Sequence, residues 1–104
     1  MPDAHKKPVT ILMADDDPDD RLMTQEAFVE CRVANPLRFV NDGDELMGYL
    51  RREGDFADAA RFPMPGLILL DLNMPRRDGR EALRDIKADP ALRGIPVVIL
   101  TTSK

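Results

Sequence analysis

The chain has 104 residues, of which 43% are hydrophobic and 33% are charged, and its formal net charge is −4. This length and composition are typical of one globular domain, and the negative charge argues against direct binding to nucleic acid. The apolar runs are too short to span a membrane, no apolar leader opens the chain, and a single cysteine, Cys31, excludes an internal disulfide. These features predict a cytoplasmic protein in which Cys31 is a buried or half-buried thiol within a helix.

Apolar runs and helical spacing predict strands and helices in the order β-α-β-α-β-α-β. The first strand, VTILMA, covers residues 9–14. A helix is predicted to begin at Asp17 and Pro18, because Asp is a favoured N-cap and Pro suits the first helical position. Helical spacing assigns its buried face to Leu22, Met23, Ala27 and Phe28.

The other predicted elements are, in chain order, a strand at 37–40, a helix within 41–54, a strand at 67–72, a helix at 80–89 and a strand at 95–101. The strand LILLDL at 67–72 has the clearest pattern of a strand buried on both faces. Gly54 is expected to end the second helix. Gly79 is interpreted as an ordinary loop former.

Apolar strands that alternate with amphipathic helices predict an α/β fold, a doubly wound parallel sheet of the flavodoxin type with helices on both faces. In such a sheet ligands bind at the carboxyl ends of the strands, where the strand order reverses. Polar residues at these ends are Asp15 and Asp16 for the first strand, Asp71 for the third, and Thr101 and Thr102 for the fourth. The sequence therefore predicts that these side chains meet at one edge of the sheet.

Carboxylates that converge on one pocket repel each other unless a cation neutralises them. All the candidate ligand atoms are oxygens, and no His or Cys stands beside them in the sequence, so Mg²⁺ fits better than Zn²⁺. A carboxylate at Asp71 beside such a cation can act as a nucleophile toward phosphorus and form an aspartyl phosphate.

Three stretches, LMADDDP, LILLDLNMPRRDG and IPVVILTT, resemble the receiver domains of two-component response regulators. The resemblance runs from about Thr10 to the last residue, and it implies the receiver form of the flavodoxin-like fold. It also implies that a histidine kinase transfers a phosphoryl group to the domain with the help of Mg²⁺. The new charge would then switch a protein-interaction surface, so the domain would be a signalling module and not an enzyme beyond its own phosphorylation and dephosphorylation.

By position, the resemblance implies one role for each site residue. Asp71 would be the phosphoacceptor, Asp15 and Asp16 the acidic metal pair, and Asn73 a metal ligand through its backbone carbonyl. Thr101 would be the switch hydroxyl that contacts the phosphate, with Thr102 as a further candidate. The phosphate-binding lysine of the family has no counterpart here, because Lys104 lies too close to Thr101.

The family pattern continues with a helix, a strand and a helix after the fourth strand, whereas this sequence stops there. We therefore expect residues 1–8 to be a tail and residues 9–104 to be a C-terminally incomplete receiver domain without the α4-β5-α5 part. An apolar fourth strand left at the edge of the sheet would be a template for a homodimer or a domain swap. The segment DLNMPRRDG is similar in sequence to the corresponding segment of small stand-alone regulators that partner phytochrome-like histidine kinases.

Two other functions are alternatives. The first is a degenerate receiver-like domain that binds a partner without phosphorylation. The second is a Mg²⁺-dependent aspartyl-phosphate phosphatase, against which Asn73 counts because such hydrolases carry an acid two residues after the nucleophile.

Simple helix capping could account for Asp17, and Asp19 and Asp20 are interpreted as favourable charges in the first helical turn.

Overall fold

The computed structural model describes residues 9–74 and 79–100. Its elements are β1 (Thr10–Ala14), α1 (Pro18–Glu30), β2 (Leu37–Val40), α2 (Gly43–Leu50), a 3-10 helix (Gly54–Ala57), β3 (Pro65–Asp71), α3 (Gly79–Ala88) and β4 (Val97–Leu100). The predicted order of strands and helices is confirmed. In the parts of the chain that the structure describes, every helix is too short or too polar to cross a bilayer.

The strands form one parallel sheet in the order β2-β1-β3-β4. Parallel pairing joins β1 to both β2 and β3, and β3 to β4. The order reverses direction between β1 and β3, which is where ligands bind in open sheets of this kind. The predicted flavodoxin-like parallel sheet is therefore confirmed, and its switch point lies at the ends of the two strands that carry the candidate aspartates.

The core lies between the sheet and the helices α2 and α3. It contains Leu12 of β1 and Ile68 of β3, which have no exposed surface, together with Ile86 of α3. The apolar residues Leu46, Met47 and Leu50 of α2 are all buried. Alternate residues of β1, such as Met13, are buried on the opposite face of the sheet, as expected for a strand covered on both sides.

The predicted buried face of α1 is wrong. Leu22 is 53% exposed and Met23 is 66% exposed, Ala27 is also exposed, and Phe28 is only half-buried. No residue of α1 is buried. The physical reason is that the apolar residues of α1 are spread around the helix and do not form the stripe on one face that a packed helix needs.

Cys31 is exposed at the C-cap of α1, so the predicted buried thiol is also wrong. The helix ends there, and the chain turns through Arg32 in the left-handed region, with φ 55°. Because no residue of α1 is buried, the end of this helix does not carry the Cys31 side chain into the core that the structure describes.

Most predicted boundaries are within two residues of the observed ones. The exception is α2, which ends at Leu50 and is followed by Arg52 in the left-handed region, whereas Gly54 opens the 3-10 helix. β3 ends at Asp71 and not one residue later, so Asp71 is itself the last residue of its strand. The predicted Thr101 at the end of the fourth strand lies outside the described residues.

Candidate functional site

Strand pairing brings the predicted acidic residues together. Ala14, the last residue of β1, pairs with Leu70, so the next residues along each strand, Asp15 and Asp71, lie side by side at the same edge. One carboxylate oxygen from each of Asp15, Asp16 and Asp71 lies within 4.8 Å of the other two. The predicted meeting of these three aspartates at the switch point is what the structure shows.

The two inner carboxylates are held by equivalent short-range hydrogen bonds. Asp15 and Asp71 have no exposed surface, whereas Asp16 is exposed. The Asp17 N–H donates to Asp15 Oδ1 at 2.9 Å, and the Asn73 N–H donates to Asp71 Oδ1 at 2.9 Å. Each buried carboxylate is thus oriented by the amide two residues further along the loop.

The environment of Asp15 disfavours its charged form. The pKa of Asp15 is raised from 3.8 to about 6, chiefly because burial disfavours the charged form. The hydrogen bond from the Asp17 N–H opposes this rise, and the neighbouring carboxyl groups of Asp20 and Asp71 contribute to it. Like charges this close cost free energy when all of them are ionised. A bound cation would offset that cost.

The residues present fit a hard divalent cation. Three carboxylates with ligand atoms this close supply several oxygen donors, and the exposed Asp16 leaves one side open to water. Mg²⁺ sites in proteins combine a few carboxylates with water in this way. The chemistry of the donor set therefore supports a divalent metal bound by oxygen atoms.

Two residues of the first turn of α1 belong to the site, and sequence reasoning missed both. Asp20 was interpreted as a helix-terminal charge, but its carboxyl group lies close enough to Asp15 to help raise the pKa of that residue. Arg21 donates from Nε to the backbone carbonyl of Asp15 at 2.7 Å. Helix propensity does not predict either contact. A general feature of the fold could have indicated them, because a helix that follows a parallel strand begins close to the carboxyl end of that strand.

Gly79 is more than an ordinary loop former. It is the first residue of α3, and a Cβ added there would lie 2.5 Å from the carbonyl oxygen of Asp71 and 2.7 Å from Cα of Leu72. Real Cβ atoms do not approach backbone this closely. The absence of a side chain at Gly79 therefore lets α3 begin directly against the end of β3, where Asp71 lies.

Of the remaining predicted site residues, Asn73 lies within the described structure and Thr101 and Thr102 do not. Asn73 is exposed and lies two residues beyond Asp71, where its N–H orients that carboxylate. Leu100 of β4 pairs with Asp71, so β4 reaches the same edge of the sheet. Thr101 and Thr102, which follow Leu100 in the sequence, lie outside the described residues, as does Lys104.

Comparison with known protein families gives one match that covers most of the chain. The profile of the family described as response regulator receiver domain matches residues 11–104. The response regulator Rcp1 of Synechocystis sp. is 41% identical over 103 residues, which are 99% of this chain and 68% of Rcp1. The chain therefore spans about two thirds of the length of this relative.

Solved structures give the same result. The phosphorylated cyanobacterial phytochrome response regulator RcpA superposes with a TM-score of 0.84 at 46% identity, over 93% of this chain and 67% of RcpA. The Mn²⁺-bound form of Rcp1 superposes with a TM-score of 0.83 at 42% identity, over 92% of this chain and 67% of Rcp1. These structures share with this chain both the fold and more than 40% of the aligned residues.

Proposed function

The chain belongs to the family of response regulator receiver domains, and on this premise we propose that Asp71 accepts the phosphoryl group. Receiver domains are phosphoacceptor signalling domains of two-component systems. The observation that carries the assignment to Asp71 is its position: it is fully buried, ends β3 at the switch point, and lies within 4.8 Å of the acidic pair Asp15 and Asp16.

In the proposed reaction, a carboxylate oxygen of Asp71 attacks the phosphorus of a phosphohistidine on the kinase. The new P–O bond forms as the P–N bond to the histidine breaks, and the ring nitrogen leaves with the electron pair of that bond. The hydrogen bond from the Asn73 N–H to Asp71 Oδ1 supports this role, because it holds the nucleophilic carboxylate in one orientation.

Asp15, Asp16, Asp71 and the backbone carbonyl of Asn73 would hold the divalent metal, which we propose is Mg²⁺. When bound, the metal supplies positive charge that offsets the negative charge of the transferring phosphoryl group. The repulsion among Asp15, Asp20 and Asp71 supports this proposal, since ionised carboxylates this close need a counter-charge. The Mn²⁺-bound form of the similar protein Rcp1 supports it as well.

The downstream roles complete the proposal. Thr101, with Thr102 as a second candidate, would contact the new phosphoryl group and switch a protein-interaction surface. The similarity to phytochrome response regulators supports a phytochrome-like histidine kinase as the partner. The domain would act in the cytoplasm, without binding nucleic acid directly and without catalysis beyond its own phosphorylation and dephosphorylation. A homodimer or domain swap through an edge strand stays a prediction.

Intact mass spectrometry tests the proposed function. The full-length protein is incubated with acetyl phosphate, with and without Mg²⁺, as wild type, as Asp71→Asn and as the control Asp55→Asn, an exposed acid in the 3-10 helix. We expect a Mg²⁺-dependent, base-labile gain of one phosphoryl group in the wild type and the control, and none in Asp71→Asn. Equal labelling of Asp71→Asn would refute the assignment, and an unlabelled wild type would favour a receiver-like interaction domain.

A further inference from the structure

Beyond the ligands of the acidic site, we propose that Arg21 is a positioning residue, which holds Asp15 and Asp16 in the arrangement that binds the metal. This inference rests on the proposed function, because it concerns the same acidic site. The hydrogen bonds of Arg21 go to two backbone carbonyls and to Asn41, so Arg21 acts on the backbone that carries two of the three carboxylates.

The guanidinium group of Arg21 joins three separate parts of the fold. It projects from the first turn of α1, and its Nε donates to the carbonyl of Asp15 at 2.7 Å. Its Nη2 donates to the carbonyl of Val40 at 3.0 Å and to Oδ1 of Asn41 at 2.6 Å. The group also stacks over Phe39, with Cζ 5.1 Å from the ring centroid. One side chain thus ties α1 to the carboxyl ends of β1 and β2.

These contacts fix the backbone of Asp15 from both sides. The Asp15 N–H donates to the carbonyl of Val40 at 3.1 Å, and the same carbonyl accepts from Arg21. The carbonyl of Asp15 is held by Arg21 as well. Since the peptide between Asp15 and Asp16 is part of this held unit, its orientation sets the direction in which both side chains leave the backbone.

The contact geometry requires an arginine. Three acceptors surround the guanidinium, and its planar fork donates to them in fixed directions while its face rests on the Phe39 ring. An ammonium group on a lysine is a compact point charge that cannot reproduce this fork. The contacts therefore depend on the shape of the side chain and not only on its charge.

Arg21 also extends the connection to α2. Asn41 Nδ2 donates to Glu45 Oε2 at 3.2 Å, and Glu45 lies in the first turn of α2. The path from the acidic site runs through Arg21 and Asn41 to that helix. Replacement of the Asn41 side chain would remove one acceptor of the Arg21 guanidinium and leave the hydrogen bond from Arg21 to Asp15 in place. It therefore provides a second and milder test of the role of Arg21.

The test is Mn²⁺ affinity of the full-length protein, measured from the electron paramagnetic resonance signal of free Mn²⁺ at a temperature at which every variant is folded. We expect Arg21→Ala to weaken binding about tenfold, in the range found for residues that orient metal ligands. Arg21→Lys should stay close to the alanine variant, and Asn41→Ala should weaken binding about threefold. The matched control is Arg38→Ala, which removes another guanidinium, on β2, that stacks on an aromatic ring away from the site and should leave affinity unchanged.

Several outcomes would overturn the inference. Unchanged Mn²⁺ affinity in folded Arg21→Ala would show that Arg21 only stabilises the fold, and full affinity in Arg21→Lys would show that charge alone matters. If Arg21→Ala does not fold, unchanged affinity in Asn41→Ala together with full affinity in Arg21→Lys decides against it. A wild type that binds Mn²⁺ but is not phosphorylated would refute the proposed function alone, whereas a wild type that binds no Mn²⁺ would refute both.

Discussion

Helices α1 and α2 follow neighbouring strands of the same sheet but are held in place by different forces. α2 has 8 residues, of which Leu46, Met47, Tyr49 and Leu50 are buried hydrophobic side chains. α1 has 13 residues and no buried one. Within the described residues, the hydrogen bonds that tie α1 to the sheet come from Arg21 and reach the ends of β1 and β2.

This difference matches the parts of the site that each helix serves. The first turn of α1 supplies Asp20 and Arg21 to the acidic site, whereas α2 packs into the core with α3. Apolar burial stabilises a helix without directing it closely, while charged hydrogen bonds set direction over short distances. The helix beside the functional site is therefore oriented by polar contacts, and the helix away from it is stabilised by burial.

The largest effect that separates the two helices should come from truncation of a leucine. Leu46→Ala on α2 removes a side chain with no exposed surface, and we expect it to lower the free energy of unfolding by about 3 kcal/mol. The matched change on α1, Leu22→Ala, removes a side chain that is 53% exposed and should change stability by less than about 0.5 kcal/mol. Urea unfolding followed by circular dichroism measures both. Similar losses would show that a partner or further chain covers α1.

A smaller effect should follow from added bulk where α3 meets β3. Gly79→Ala would press a Cβ against the backbone of Asp71 and Leu72, so we expect a loss of about 2 kcal/mol and a weaker affinity for Mn²⁺. Gly94→Ala is the control, because nothing lies within 4 Å of its added Cβ. If Gly79→Ala is as stable as Gly94→Ala, the close approach of α3 to Asp71 would not be a constraint.

The smallest effect is a pH dependence that arises from Asp15, which lies between β1 and α1. The pKa of Asp15 is raised from 3.8 to about 6 in the folded state, chiefly by burial, so the folded protein binds a proton more tightly than the unfolded chain. The resulting stabilisation is complete below about pH 4 and is lost as pH rises through about 6.

Without metal, the wild type should therefore lose about 1 to 2 kcal/mol more than Asp15→Asn between pH 4 and pH 7. Thermal or urea unfolding in the presence of a chelator measures the difference between the two pH profiles. Parallel profiles would contradict the desolvation of Asp15. Added Mn²⁺ should reduce the loss in the wild type, because a bound cation favours the ionised carboxylate.

Much of the candidate site could be predicted from sequence, for a specific reason. Asp15, Asp16 and Asp71 come directly after or at the end of apolar strands, and parallel strands bring such ends to one edge. Asp20 and Arg21 could not be identified in this way. Their partners, the carboxyl group and carbonyl of Asp15 and the carbonyl of Val40, become neighbours only when α1 folds back across the sheet.

The sequence by itself determined the order of the elements, the start of α1 at Asp17 and Pro18, and the edge of the sheet at which the aspartates meet. Each of these depends on local backbone preference or on burial that repeats along the chain. Only the tertiary structure decided that α1 is exposed, that Gly79 touches the backbone of Asp71, and that Arg21 joins β1 to β2. Those features depend on which surfaces face each other after folding, and periodicity along one segment carries no information about the segment opposite.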